Sequence, residues 1–213
     1  MSKFTIILDY GMSNLHSIYA ACNKNNIDCK VSSKLDDLNS SSAIILPGVG
    51  SFPKAISNLK KLNLISPLKK QIQGGKPFLG ICLGMQLLLD YSEEFEKTAG
   101  LSIIQGKVKK FTKKELGIEN IPHIGWNKIY KNKKSQKKSI LRYITNNNLM
   151  YFVHSYFVLP DHEKNVMSYT DYGNLKFCSS LCHENVFATQ FHPEKSGKNG
   201  LKILEGFKRL FKL

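Results

Sequence analysis

The chain has 213 residues, a hydrophobic share of 42% and a formal net charge of +15. That length suits one large domain spanning 1–213, and the hydrophobic share excludes a disordered chain. No apolar run reaches the ~18–20 residues that cross a membrane. Met1-Ser2-Lys3 ahead of FTIILDYG reads as the approach to a first strand and not as an export signal.

FTIILD (4–9) is a short apolar run closed by the turn signal Tyr10-Gly11. Leu15, Ile18, Tyr19 and Cys22 follow at helical spacing. CKVSS (29–33) and AIILPG (43–48) read as strands, the second ending at a Pro-Gly break. Ala55, Ile56, Leu59 and Leu62 give a helical face. PFLGIC (77–82) is another apolar strand, and MQLLLDY (85–91) is expected to continue from it as a helix. Strand and helix alternating through short connections predict a parallel sheet covered on both faces.

The second half changes character. VKKF, HIGWNKI, YFVHSYFVL, VMSYTDY and VFATQFH are strand-like, with turn signals at 146–148 and 171–174. They predict antiparallel strands added to the same sheet or beside it. Leu201, Leu204, Phe207, Leu210 and Phe211 mark the apolar stripe of a closing helix. The fold class is therefore α/β: a mainly parallel central sheet with helices on both faces, plus antiparallel strands in the second half.

The five cysteines, Cys22, Cys29, Cys82, Cys178 and Cys182, are odd in number and lack a CxxC. They point to a reduced, cytoplasmic setting. Cys178, Ser180 and Cys182 are expected to share one strand face, and packing is a better reading of them than zinc. No metal and no cofactor are expected. The positive charge is carried almost wholly by lysine, with runs in 107–114 and 128–138. Arginine's planar fork reads bases and phosphates best, so a solvated lysine surface is preferred to a nucleic-acid site.

Gly80-Ile81-Cys82-Leu83-Gly84 falls where a strand turns into a helix. Flanking glycines allow a sharp turn that lifts the central side chain above the sheet edge. A cysteine there lies at a helix start, which favours thiolate, and the Leu83 N–H is expected to face an oxyanion formed on an attacked carbonyl. A cysteine nucleophile needs a base. Gln190-Phe191-His192-Pro193-Glu194 supplies one in His192. Glu194 lies two residues on, so an extended chain would point both side chains the same way and let the carboxylate orient the imidazole.

LPGVG (46–50), GICLGMQLL (80–88), PHIGWN (122–127), YFVHSY (151–156) and QFHPEKSG (190–197), with DYGMSNLHS (9–17), strongly resemble the glutaminase subunit of imidazole glycerol phosphate synthase, a class I glutamine amidotransferase family. The resemblance implies a Cys82–His192–Glu194 triad and a glutamine site including Gln86 and the Ser155-Tyr156 backbone. It implies an oxyanion-hole amide from the Val49-Gly50 loop after a peptide flip, which Gly48 and Gly50 would ease. It places Asn14, Trp126 and Lys195 toward a partner, a (β/α)8-barrel cyclase that forms a heterodimer and receives ammonia. This chain departs from the family at Ser13, where glycine is usual. The rival readings are a paralogous subunit feeding ammonia to an enzyme that makes an amidino sugar, a cysteine hydrolase acting alone, and a lysine-faced binding module. No membrane and no nucleic acid are expected as partners.

Overall fold

The computed structural model describes residues 4–118, 120–134, 139–146 and 148–213. The first half runs β1 (Thr5–Leu8), α1 (Leu15–Lys24), β2 (Cys29–Ser32), α2 (Leu35–Ser40), β3 (Ala43–Gly48), α3 (Phe52–Lys61), α4 (Ile65–Gln73), β4 (Phe78–Cys82) and α5 (Leu83–Gln86). The short strands β5 (Tyr91–Ser92) and β6 (Thr98–Ala99) lead into β7 (Gly106–Lys110), α6 (Lys113–Leu116), β8 (His123–Lys128) and β9 (Tyr130–Lys131). Then come β10 (Leu149–His154), β11 (Tyr156–Pro160), β12 (Val166–Tyr172), β13 (Leu175–His183), β14 (Val186–Thr189) and α7 (Gly197–Phe211).

The main sheet has the order β2-β1-β3-β4-β14-β13-β12-β9. Pairing is parallel from β2 to β14 and antiparallel beyond. β3 and β4 are buried at every residue, as strands covered on both faces must be. Side chains alternate between two cores. Ile6, Leu8 and Leu46 meet Leu59 of α3 and Leu68 of α4 on one face. On the other, Ile7, Ile45 and Leu79 meet Ile18 of α1 and Leu204 of α7. Beside this sheet stand a β10-β8 ribbon and a small β11-β7-β5-β6 sheet. Among the described residues no helix is long and apolar enough to cross a membrane.

Four expectations change. The helix expected over 85–91 is one turn, ending at Gln86. The backbone carbonyls of Leu87, Leu88 and Leu89 turn away to accept N–H groups from Leu101, Ile103 and Ser102, and all three leucines are buried. YFVHSYFVL is two strands, β10 and β11, which separate at Ser155 and enter different sheets. Cys178 and Cys182 do not share a face: Cys178 packs with Leu181 and Cys182 with Phe177 in the opposite core. A β-bulge causes this, because Ser168 pairs with Ser180 and the next residue, Tyr169, pairs with Cys178. Leu62 lies just past the end of α3 and is exposed. The turn expected at 171–174 is the two-residue link between β12 and β13, with Gly173 at φ +57°. Asn147 of the other expected turn, and 135–138 of the lysine run, lie outside the described residues.

The tightest backbone approach is at α5. A Cβ on Gly84 would stand 1.9 Å from the Leu46 carbonyl oxygen, and one on Gly80 would stand 2.8 Å from the Gly84 oxygen. Gly84→Ala should therefore force β4 and α5 away from β3. We expect a loss of at least about 1–3 kcal/mol in urea unfolding, the range for overpacked cores.

Candidate active site

Cys82 ends β4 with φ 53° and ψ −106°, in the left-handed half of backbone space. Side-chain-bearing residues hold such angles only when the surroundings impose them. Here Gly80 and Gly84 let α5 fold back directly against β3 and β4. α5 is a single turn, so its benefit to an anion is not a long dipole. It is the set of first-turn N–H groups, Leu83 first, that a helix cannot satisfy internally.

β14 lies directly beside β4, with Thr189 opposite Ile81. The chain beyond it brings His192 into the same neighbourhood, although His192 is 110 residues downstream of Cys82. His192 Nδ1 and Glu194 Oε1 are 2.7 Å apart, and both side chains are about 3% exposed. The expected pair forms for a reason different from the expected one. The backbone is extended at His192 but coils into a 3-10 turn over Pro193–Lys195, and that coil carries the carboxylate round to the ring. His192 Nε2 is buried with no hydrogen-bond partner in good geometry. Burial alone would discharge the imidazole, but the neighbouring Cys82 thiolate and then Glu194 outweigh it and raise the His192 pKa to about 10. The site therefore favours the charged form of the His192 ring.

In front of Cys82 lies a cavity of about 330 Å³, which Val49, Gly50, Leu83, Gln86, Ser155, Tyr156 and Lys195 also line. The separation of β10 from β11 is what opens the chain at Ser155-Tyr156 onto this cavity. Val49 donates its N–H to the Met12 carbonyl at 2.6 Å, so in this conformation that N–H is already engaged. Gly50, at φ +98°, has the freedom a peptide flip requires. Gly48 is needed for another reason: a Cβ there would meet the Tyr10 hydroxyl at 2.3 Å and Leu83 Cβ at 2.9 Å. Tyr10 donates to the Pro47 carbonyl at 2.8 Å and steadies the base of the loop.

Asn14 caps α1 by accepting from Ser17 N at 3.4 Å. It lines a small cavity shared with His192, Glu194 and Lys195. Trp126 is 52% exposed on β8 and packs edge-on to Tyr151. Lys195 is exposed, with Nζ 6.0 Å from the Tyr151 ring. Ser13 stands at a negative φ, and the left-handed residue of this turn is Gly11, so a side chain at 13 is tolerated. The sequence reading missed three groups. Glu94 is a buried acid on the cavity wall that accepts from Phe52 N at 2.6 Å, and burial pushes its carboxyl up. Gln190 donates to Cys82 Sγ at 3.5 Å. His154 lines the cavity and contacts the Tyr156 carbonyl. Gln190 and His154 stood inside recognised motifs, but their roles depend on contacts no spacing reveals.

The sequence pattern of the glutamine amidotransferase class-I family matches residues 6–209. This chain belongs to that family. Within it, the chain is 46% identical over 206 residues to the imidazole glycerol phosphate synthase subunit HisH of Aquifex aeolicus, covering 96% of each chain. It is 43% identical to the subunit of the same name from Caldanaerobacter subterraneus, covering 97% of this chain and 98% of the relative. Among solved structures, PurLQS from Thermotoga maritima superposes with a TM-score of 0.75 at 18% identity, covering 98% of this chain and 99% of that one. A glutamine amidotransferase superposes with a TM-score of 0.74 at 14% identity, covering 98% and 99%. These last two likenesses establish the fold.

A raised imidazole pKa stabilises the folded state fully below the unfolded value of ~6.5, and that contribution fades as pH climbs through about 10. The stability lost in His192→Asn should therefore be largest near pH 6 and shrink toward pH 10, measured by urea unfolding across that range. Imidazole ¹⁵N titration should also place the His192 midpoint lower in Glu194→Gln than in the parent chain.

Proposed function

We propose that this chain is the glutaminase subunit of an imidazole glycerol phosphate synthase, acting as one amidotransferase domain over 1–213, with Cys82, His192 and Glu194 as its catalytic triad. The observation that carries the reading is the convergence of a strained cysteine and a carboxylate-held imidazole on one cavity, in a chain whose full-length relatives bear that subunit's name. Those relatives favour the histidine-pathway subunit over a sugar-modifying paralogue.

The chemistry follows from the groups present. The Cys82 thiolate attacks the side-chain carboxamide carbon of glutamine, and the carbonyl electron pair moves to oxygen. The Leu83 N–H, joined by an amide of the Val49-Gly50 loop once it leaves the Met12 carbonyl, holds that oxyanion. His192, already an imidazolium, gives its Nε2 proton to the departing nitrogen, which leaves as ammonia. Glu194 holds the ring throughout. Water, deprotonated by His192, then attacks the thioester, and glutamate leaves as the C–S electron pair returns to sulfur. Gln86, the Ser155-Tyr156 backbone and the Glu94 carboxylate are placed on the cavity wall to receive glutamine, Glu94 facing its ammonium group.

Ammonia in water is protonated and loses its nucleophilicity, so a partner that takes it directly is physically sensible. We assign that partner to a (β/α)8-barrel cyclase. Exposed Trp126 and Ile124 on β8, together with Asn14 and Lys195, support a docking face on the cavity side. In this reading the Val49–Met12 hydrogen bond keeps the free subunit quiet, and partner binding with acceptor bound shifts the loop to its flipped state. The setting is cytoplasmic, as for other biosynthetic enzymes.

Two measurements test this. In a reconstituted assay with a barrel cyclase and its ribulosyl substrate, Cys82→Ala should abolish glutamine-dependent turnover and leave ammonia-dependent turnover intact. His192→Ala should cost about 10²–10⁴-fold in glutamine-dependent rate, the range for general acid–base catalysis. Retained glutamine use by Cys82→Ala would refute the assignment. Trp126→Ala should weaken cyclase binding by about 1–2 kcal/mol in titration calorimetry, as for an aromatic anchor.

A further inference from the structure

Gln190 is fully buried, and its neighbours determine which way its amide faces. The determining group is the Tyr156 carbonyl, which can only accept. Gln86 Nε2 donates to it at 3.0 Å. The amide nitrogen of Gln86 is thus turned to that side, and it also donates to Gln190 Oε1 at 3.1 Å. With its oxygen so engaged, Gln190 presents only N–H to its other neighbour, the Cys82 sulfur at 3.5 Å. Amide orientation is ordinarily ambiguous between oxygen and nitrogen. Here one acceptor-only carbonyl settles it for both side chains.

The same carbonyl is fixed from behind. His154 Nδ1 lies 2.8 Å from it and must carry the hydrogen. Burial, with His123 alongside, holds the His154 pKa down at about 3, so the ring is neutral and its Nε2 is a lone pair. That lone pair accepts from His123 Nδ1 at 3.1 Å. His123 is clamped between the Tyr172 and Phe152 rings at 4.0 and 4.9 Å. Its Nε2 lies 2.8 Å from Asn127 Oδ1. Hydrogen bonds therefore run from His123 of β8 through His154 to the Tyr156 carbonyl, and a second set runs from that carbonyl to the sulfur.

We propose that Gln190 is a catalytic residue, its side-chain N–H donating to the Cys82 sulfur and stabilising the thiolate, and that His154 is a positioning residue that fixes the Tyr156 carbonyl and so keeps this donor turned inward. The proposal rests on Cys82 being the nucleophile. A donor on sulfur raises the fraction of thiolate before attack, when the S–C bond has yet to form. It acts again in deacylation, when that bond breaks and the electron pair returns to sulfur.

The test is iodoacetamide alkylation of the isolated full chain at pH 7, followed by mass spectrometry of the Cys82 peptide so that half-buried Cys29 does not contribute. Gln190→Leu should slow Cys82 alkylation about tenfold, the loss of one hydrogen bond to a charged partner. Gln190→Glu, of the same shape but with a carboxylate against the sulfur, should slow it further. His154→Leu should slow it by a smaller factor, and His154→Asn, which keeps a nitrogen donor near the Nδ1 position, should restore the parent rate. A folded Gln190→Leu or Gln190→Glu alkylated at the parent rate overturns the role of Gln190. His154→Asn behaving like His154→Leu overturns the role of His154. An unreactive Cys82 in the parent chain would instead refute the nucleophile reading, and that is seen before any variant is made.

Discussion

The backbone of Cys82 is held at φ 53°, ψ −106°, at a cost of about 1–3 kcal/mol for a residue with a side chain. Contact between β3 and the start of α5 sustains it. Gly84 lies so close to the Leu46 carbonyl that no Cβ fits between them, and Leu83 presses on Gly48 from the other side. β3 and β4 are buried along their whole length, so neither can move aside to relieve the corner. The sulfur is thereby lifted above the sheet edge, beside the unsatisfied N–H groups of a single helical turn.

Three chain segments then converge on that sulfur. β14 lies beside β4 and delivers Gln190 and His192. The 3-10 turn after His192 swings Glu194 onto the ring, and α7 follows at once to anchor the turn. The break between β10 and β11 opens Ser155 and Tyr156 onto the cavity. The result is a buried, polar site in which the carboxylate of Glu194 and the sulfur of Cys82 both face one imidazole.

In the proposed mechanism the loop at Val49-Gly50 is the part of the site that has to rearrange. Its amide is tied to Met12, its neighbour Gly50 has a permissive backbone, and Tyr10 steadies the residues before it. Under that proposal, a rigid nucleophile beside a switchable oxyanion loop would suit a subunit that releases ammonia only when an acceptor is ready. In the proposed assembly the docking face reaches the glutamine site through β8, whose His123 begins the hydrogen-bond chain to Tyr156.

Much of the architecture was legible in the residue pattern. The buried runs at β1, β3 and β4, the helical spacing in α1, α3 and α7, and the glycines around Cys82 each report a local requirement. So does the His-Pro-Glu segment, although its carboxylate reaches the ring through a coil and not an extended strand. What the pattern could not decide is where a continuous apolar run breaks. MQLLLDY and YFVHSYFVL read as single elements, yet each divides because backbone groups find partners elsewhere in the chain. A one-residue bulge likewise put Cys178 and Cys182 on opposite faces. The roles of Gln190, His154 and Glu94 also belong to tertiary structure. A hydrogen-bond direction depends on which acceptor lies across the fold, and that is set only when strands distant in sequence are laid side by side.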